Sequence, residues 1–169
     1  MRASWLCWPR YLRVVERMPD SGADKRQGRL VVIGLGLIGG SFAKGMRELG
    51  LFSEVVGVDL DAESRRLAVE LGVVDRCETD LAKACQGASL IQLAVPILAM
   101  EKLLEQLARL DLGQAVLTDV GSAKGSILRA AQRFLAHDLT RFVPGHPIAG
   151  SEQSGVEAAD ATLFRRHKV

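Results

Sequence analysis

An α/β fold, with a doubly wound and mostly parallel sheet, is what this 169-residue sequence predicts. Three observations carry that expectation. Short apolar runs alternate with amphipathic stretches of helical period. The runs are apolar on both faces, as strands covered on two sides by helices must be. Two of the strand-to-helix corners, "GLGLIGG" and "DVGSAKG", carry glycines where the chain has to turn sharply. The length suits one domain with a sizeable core.

From Arg29 the elements follow in order. "RLVVIG" (29–34) is a strand ending in glycine, and a helix running to about Leu49 places Ile38, Phe42, Met46 and Leu49 on one stripe. "EVVGVD" (54–59) is a second strand. "DAESRRLAVELG" (61–72) opens on acids and closes on glycine, the usual helix start and stop signals. "VVDRCETD" holds a short third strand, "LAKACQG" a short helix, and "ASLIQLAV" (88–95) a strand stopped by Pro96. In "MEKLLEQLARL" (100–110), Met100, Leu103, Leu104, Leu107 and Leu110 share one helical face. "QAVLTDV" (114–120) is a strand, and the helix after it aligns Ile127, Leu128, Ala131, Phe134 and Leu135. "RFVPG" (141–145) is a last strand, followed by loop and short helix.

Composition narrows the function classes. Apolar content of 48% and charged content of 25% are ordinary for a globular protein, and a net charge of +2 makes no electrostatic case for nucleic acid. Cys7, Cys77 and Cys85 are odd in number and lack C-x-x-C spacing, which fits free thiols in a reducing, cytoplasmic setting. Neither a disulfide framework nor a metal site is indicated. No apolar run approaches the ~20 residues of a membrane-spanning helix, so no membrane partner is expected.

Residues 1–28 read as an N-terminal extension. This segment holds both tryptophans and the only tyrosine, and Pro9 and Arg10 break its apolar stretch too early for a signal peptide. Trp5, Trp8, Leu12 and Val15 share helical spacing, which leaves a membrane-surface or transit-like helix open. The plainer reading is a start further along, at Met18.

The first corner has the pattern G-x-G-x-x-G at Gly34, Gly36 and Gly39, between a strand and a helix. Gly34 permits the turn, Gly36 lets a pyrophosphate approach the backbone, and Gly39 lets helix and strand pack closely. The phosphates then meet free amides, those of Leu37 and Ile38 among them, at a helix N-terminus whose dipole favours negative charge. Asp59 ends the second strand, 20 residues after Gly39, where it can accept hydrogen bonds from ribose hydroxyls. An acid there disfavours a 2′-phosphate, and Leu60 supplies no cation, so NAD is expected over NADP. Residues 29–169 are accordingly read as a Rossmann-like dinucleotide-binding domain.

Ligands of such sheets lie outside the carboxyl ends of the strands. "LAVP" (93–96), "TDVGS" (118–122) and "VPGHPIAGSEQSG" (143–155) all reach that edge, bringing Val95, Pro96, Ser122 and His146 to it. His146 alone reads equally well as structural or catalytic, whereas His137, in a polar helix end, and His167, in the basic tail, read as solvated bystanders.

In their order and spacing, "VIGLGLIGGSFA", "AVP", "TDVGSAKG" and "GHPIAGSEQSG" resemble the prephenate and arogenate (cyclohexadienyl) dehydrogenases of tyrosine biosynthesis, over about residues 29–169. The "GHPIAGSE" stretch is the most specific part. The resemblance implies an oxidoreductase that uses NAD for the oxidative decarboxylation of prephenate, or arogenate, with Val95 and Pro96 beside the coenzyme. It also implies that His146 accepts the ring hydroxyl's proton, and that Ser122 hydrogen-bonds the same region and the nicotinamide. Lys124, Ser151 and Glu152 stand as candidates on the substrate side, although for Lys124 the favoured reading is a first-turn surface lysine.

Relatives of this family continue into a second, largely helical domain that binds substrate and forms a homodimer. This chain ends at Val169 and reads as the coenzyme half alone, truncated at its C-terminal end, with Leu163 and Phe164 expected to be poorly buried. Alone, it is expected to bind NAD without turning substrate over. Two other readings stay open: a different two-domain NAD-dependent hydroxy-acid oxidoreductase, and a non-catalytic dinucleotide-binding module.

Overall fold

A computed structural model of the protein describes residues 27–136, 138–150 and 152–165. Among them, six strands form one sheet: β1 (Gln27–Ile33), β2 (Phe52–Val58), β3 (Arg76–Cys77), β4 (Ala88–Leu93), β5 (Val116–Asp119) and β6 (Phe142–Pro144). Their order is β3-β2-β1-β4-β5-β6 and every pairing is parallel. The order reverses between β1 and β4, the switch point at which open α/β sheets bind their ligands.

Five α-helices cross between the strands: α1 (Leu37–Glu48), α2 (Ala62–Glu70), α3 (Leu81–Cys85), α4 (Ile97–Leu107) and α5 (Lys124–Phe134). One face of the sheet packs on α3, α4 and α5 through Ala84, Met100, Leu104, Ile127 and Ala131. The other packs on α1 and α2 through Phe42, Ala43, Met46 and Ala68. Because both faces are covered, the central strands have no polar side; β4 is buried at all six positions. One consequence is an unusual residue: Gln92 is wholly buried and neither Nε2 nor Oε1 has a hydrogen-bond partner. Native structures hold few such groups.

Local signals account for several boundaries. Asp61 caps α2 by accepting from Ser64 N at 2.7 Å, and Asp80 caps α3 by accepting from Ala82 N at 2.9 Å. α4 starts at Ile97, directly after Pro96 and three residues before the expected start, because a proline needs no N–H partner at a helix start. β4 stops at Leu93, short of the expected end, since its neighbour β1 has ended and Gly34 (φ +95°) turns the chain away. β1 begins at Gln27, inside the segment expected to be extension; Gln27 N donates to Leu51 O at 2.7 Å. No helix among the described residues is long and apolar enough to cross a membrane. The expectations for residues 1–26 lie outside the described residues.

The expectation for the tail is corrected. Phe164 is only 2% exposed, and its ring meets Phe42 edge-on, with centroids 6.4 Å apart. Leu163 is partly buried against the same core. The reason is a run of small residues on α1. A Cβ on Gly40 would sit 3.1 Å from the Ala159 Cβ, and one on Gly45 3.2 Å from Ala161 O, so the tail lies close against the helix. Ser41 Oγ, itself buried, accepts from Asp160 N at 2.9 Å, and Lys44 donates to Ala159 O at 3.3 Å. Burying a Phe side chain contributes about 1.5–3 kcal/mol, so the segment finds its own partner within this domain.

Candidate active site

The register of the sheet lines up the strand ends that matter. Ile33 pairs with Val58 on one side and Leu93 on the other, Leu93 with Asp119, and Asp119 with Pro144. Each candidate site segment leaves this single row within three residues. Gly34 follows Ile33, Asp59 follows Val58, Val95 and Pro96 follow Leu93, Ser122 follows Asp119, and His146 follows Pro144. One edge of one sheet therefore collects them all.

The glycine turn is built by close approach. Gly34 takes φ +95°, and a Cβ there would lie 2.5 Å from Ala94 O. A Cβ on Gly39 would lie 2.0 Å from Gly34 O, so the start of α1 packs against the turn only because that residue is glycine. Gly36 differs: a Cβ there would meet nothing within 4 Å, leaving open space over the helix end. Gly36 is also the N-cap of α1 and no side chain caps it, so the first-turn amides of Leu37 and Ile38 have no capping oxygen. An open cradle, uncapped amides and the positive end of a 12-residue helix together fit a pyrophosphate.

Asp59 anchors the other half of that cradle. Its Oδ2 accepts from Leu35 N at 2.8 Å, inside the glycine turn, and its Oδ1 accepts from Asp61 N at 2.9 Å. A carboxylate offers about four acceptor sites, so two remain for ribose hydroxyls. Sequence reasoning overlooked Arg65 here. Its Nη1 donates to Asp59 O at 2.8 Å and Leu60 O at 2.9 Å, so a cation stands at this corner with that nitrogen turned to backbone carbonyls. The signal was available: a residue one turn into α2 returns to the strand end that precedes the helix.

Val95 is half-buried and Pro96 exposed at the β4 corner. Large apolar side chains stand open on the same edge, Leu60 after β2, Leu98 after β4 (94% exposed) and Ile148 after β6 (65% exposed).

Ser122 is exposed at the β5 corner, where Lys124 N donates to Ser122 O at 3.0 Å and closes the turn. Lys124 is not a surface lysine. Its side chain is 27% exposed and its ammonium pairs with the carboxylate of Asp119, which is wholly buried. Burial pulls the Lys124 ammonium below its ordinary pKa, against the opposing pull of Asp119. Asp119 Oδ2 also accepts from Gly121 N at 2.9 Å, and Oδ1 accepts from Gly145 N at 3.4 Å. Neither Asp119 nor its reach to the His146 loop was expected from the sequence, where it reads as one more strand residue.

His146 is exposed, held between buried Gly145 and buried Pro147, and Glu152 is exposed beyond it. Ser151, His137 and His167 lie outside the described residues. Cys77 and Cys85 are free thiols, and burial pushes Cys85 up to about 11, which makes it an unreactive one.

Comparison with known proteins identifies the family. Residues 42–169 match the family model described as prephenate dehydrogenase, nucleotide-binding domain. The prephenate dehydrogenase of Lactococcus lactis subsp. cremoris is 41% identical over 137 residues, covering 80% of this chain and 38% of the relative. The solved prephenate dehydrogenase of Aquifex aeolicus, in complex with hydroxyphenyl propionate and NAD+, superposes with a TM-score of 0.75 at 34% identity. The match covers 86% of this chain and 50% of that one. Synechocystis arogenate dehydrogenase gives a TM-score of 0.72 at 33% identity, covering 82% of this chain and 48% of its own. The chain thus spans half, or less, of the length of these relatives. In sequence and in fold it belongs to the family of prephenate dehydrogenase nucleotide-binding domains.

Proposed function

We propose that this domain binds NAD at the β1–α1 corner and supplies the proton-handling residues for oxidative decarboxylation of prephenate, or arogenate, in tyrosine biosynthesis. The observation that supports it most is the row Ile33–Leu93–Asp119–Pro144, because it puts the nucleotide turn and His146 on one edge. NAD, when bound, supplies the hydride acceptor. The first-turn amides of α1 and the open space at Gly36 receive the pyrophosphate, and Asp59 takes the ribose hydroxyls. Arg65 is turned to carbonyls, so the carboxylate of Asp59 dominates the corner and favours NAD over NADP.

At the other end of the edge, the His146 imidazole accepts the proton of the ring hydroxyl, as a general base within reach of it would. The Ser122 hydroxyl hydrogen-bonds the same oxygen and fixes its orientation. As hydride leaves the carbon that bears the hydroxyl, the carboxylate across the ring departs as carbon dioxide and the ring becomes aromatic. The exposed apolar residues Leu98 and Ile148 offer surface to the ring and to the polypeptide that completes the site. That remaining part of the protein holds the substrate carboxylates and the homodimer contact, and the free thiols suit a cytoplasmic enzyme.

The test is turnover by a full-length protein carrying this domain, given NAD with prephenate and then with arogenate, and followed by NADH absorbance. Sustained NADH formation with one of the two is expected. Tight NAD binding with no turnover of either would favour a non-catalytic dinucleotide-binding module.

A further inference from the structure

The two proposed reacting residues, Ser122 and His146, sit on loops 24 positions apart in the chain. Something has to set their separation, because a misplacement of 1 Å at a reacting centre costs on the order of a hundredfold in rate. Neither residue has a bond to the other's loop through its own side chain among the described contacts. The link runs underneath them. Gly121 immediately precedes Ser122, and Gly145 immediately precedes His146. Both backbone N–H groups donate to one carboxylate, that of Asp119: Gly121 to Oδ2 at 2.9 Å, and Gly145 to Oδ1 at 3.4 Å.

That carboxylate has no solvent-exposed surface, and a buried charge is costly unless paired and hydrogen-bonded. Lys124 provides the pairing cation, from the first turn of the helix that Ser122 leads into. The corner has little slack: a Cβ on Gly121 would lie 2.5 Å from Ile127 Cδ1 and 3.4 Å from Asp119 Oδ2. A carboxylate suits this place because both of its oxygens accept. An amide of the same shape has one accepting oxygen, and its NH2 group would face an N–H or an ammonium.

We propose that Asp119 is a positioning residue, which spaces the Ser122 corner from the His146 loop by holding both from one buried carboxylate, with Lys124 as its neutralising partner. It acts through those neighbours and does not touch substrate. The inference rests on the roles given to Ser122 and His146 above.

Two measurements test it. The first is on this chain and needs no variant: through-hydrogen-bond NMR couplings from the Gly121 and Gly145 amide nitrogens to the Asp119 side-chain carboxyl carbon. Couplings to both are expected, and a coupling to one loop alone overturns the shared tie. The second uses the full-length enzyme with Asp119→Asn. The expected result is a kcat lower by roughly ten- to a hundredfold, with NAD affinity within about twofold of the parent, because spacing is lost while the coenzyme corner stands. A merely structural role predicts instead that thermal stability and NAD affinity fall together while kcat per NAD-bound enzyme stays within about threefold, and that outcome overturns the inference. His146→Asn serves as the control. If it is inactive while Asp119→Asn is normal, only the positioning role fails; if it too is normal, the assignment of His146 fails and the positioning role falls with it.

Discussion

At the β1–α1 corner the backbone itself forms the site. Gly34, Gly36 and Gly39 act by lacking a side chain, the helix end presents its own amides, and Asp59 reaches back to Leu35 N to hold the turn. At the β5 and β6 corners the arrangement is the reverse. The exposed side chains Ser122 and His146 carry the proposed chemistry, and the buried carboxylate of Asp119, paired with Lys124, holds the loops beneath them. The difference teaches how far apart the determinants of a site can lie. A phosphate cradle is a property of about six consecutive residues, whereas a proton acceptor beside a hydroxyl depends on loops brought together by the sheet.

The largest effect that can break this comparison is on the chemical side. In a full-length protein, His146→Asn should lower turnover by roughly 10²–10⁴, the range for a lost general base, while NAD affinity measured by titration barely changes. Ser122→Ala should act in the same direction more mildly. A fall in NAD affinity as large as the fall in turnover would show that the two corners are not separate.

The next tests the backbone corner. Gly39→Ala puts a Cβ 2.0 Å from Gly34 O, and the atom it meets is main chain that cannot step aside. A loss of about 3 kcal/mol, the upper end for overpacking, is expected in chemical denaturation, together with loss of NAD binding. Near-normal stability would mean that α1 can move off the turn.

Asp59→Ala sharpens the same corner. It removes the ribose acceptor and leaves Arg65, so the preference for NAD over NADP should shrink by about 1–3 kcal/mol, the scale for losing a charged hydrogen-bond partner. Titrating both coenzymes checks this, and equal affinities in the parent protein would contradict the assignment of Asp59.

The smallest effect lies at the opposite edge of the sheet and serves as a reference for both corners. Glu54 accepts from Arg29 Nε at 2.6 Å and from Arg76 Nε at 2.7 Å, tying β1, β2 and β3. The Arg76 hydrogen bond holds its carboxyl below its ordinary value of 4.5; burial opposes this, and Arg29 adds to the lowering. A carboxylate lowered in the folded state stabilises above its unfolded pKa, and that contribution disappears as pH falls through the folded value. Glu54→Gln should therefore cost under ~1 kcal/mol at neutral pH, given its partial exposure, and progressively less below pH ~4.5. Thermal melts across that range should show the two proteins converging, with NAD binding unaffected.

Much of this protein was legible in the sequence because the relevant signals are local. Alternating strands and helices follow from apolar period. The turn at residues 34–39 follows from glycine spacing, Asp59 from its place at a strand end, and the candidacy of His146 from the motif around it. Each depends on neighbours within a few positions, and on backbone conformations that few residue types can adopt. What only the tertiary structure decided involves partners distant in the chain. Phe164 was expected to lie open, yet it is buried because Gly40, Ser41 and Gly45 leave α1 narrow enough for the tail to lie on it, more than a hundred residues later. Lys124 changes from a surface lysine to the half-buried partner of a buried carboxylate, and Asp119 from a strand residue to the tie between two loops. A buried charge takes its meaning from what surrounds it in space, and the parallel register that places Pro144 beside Asp119 is set by the whole sheet, not by either segment alone.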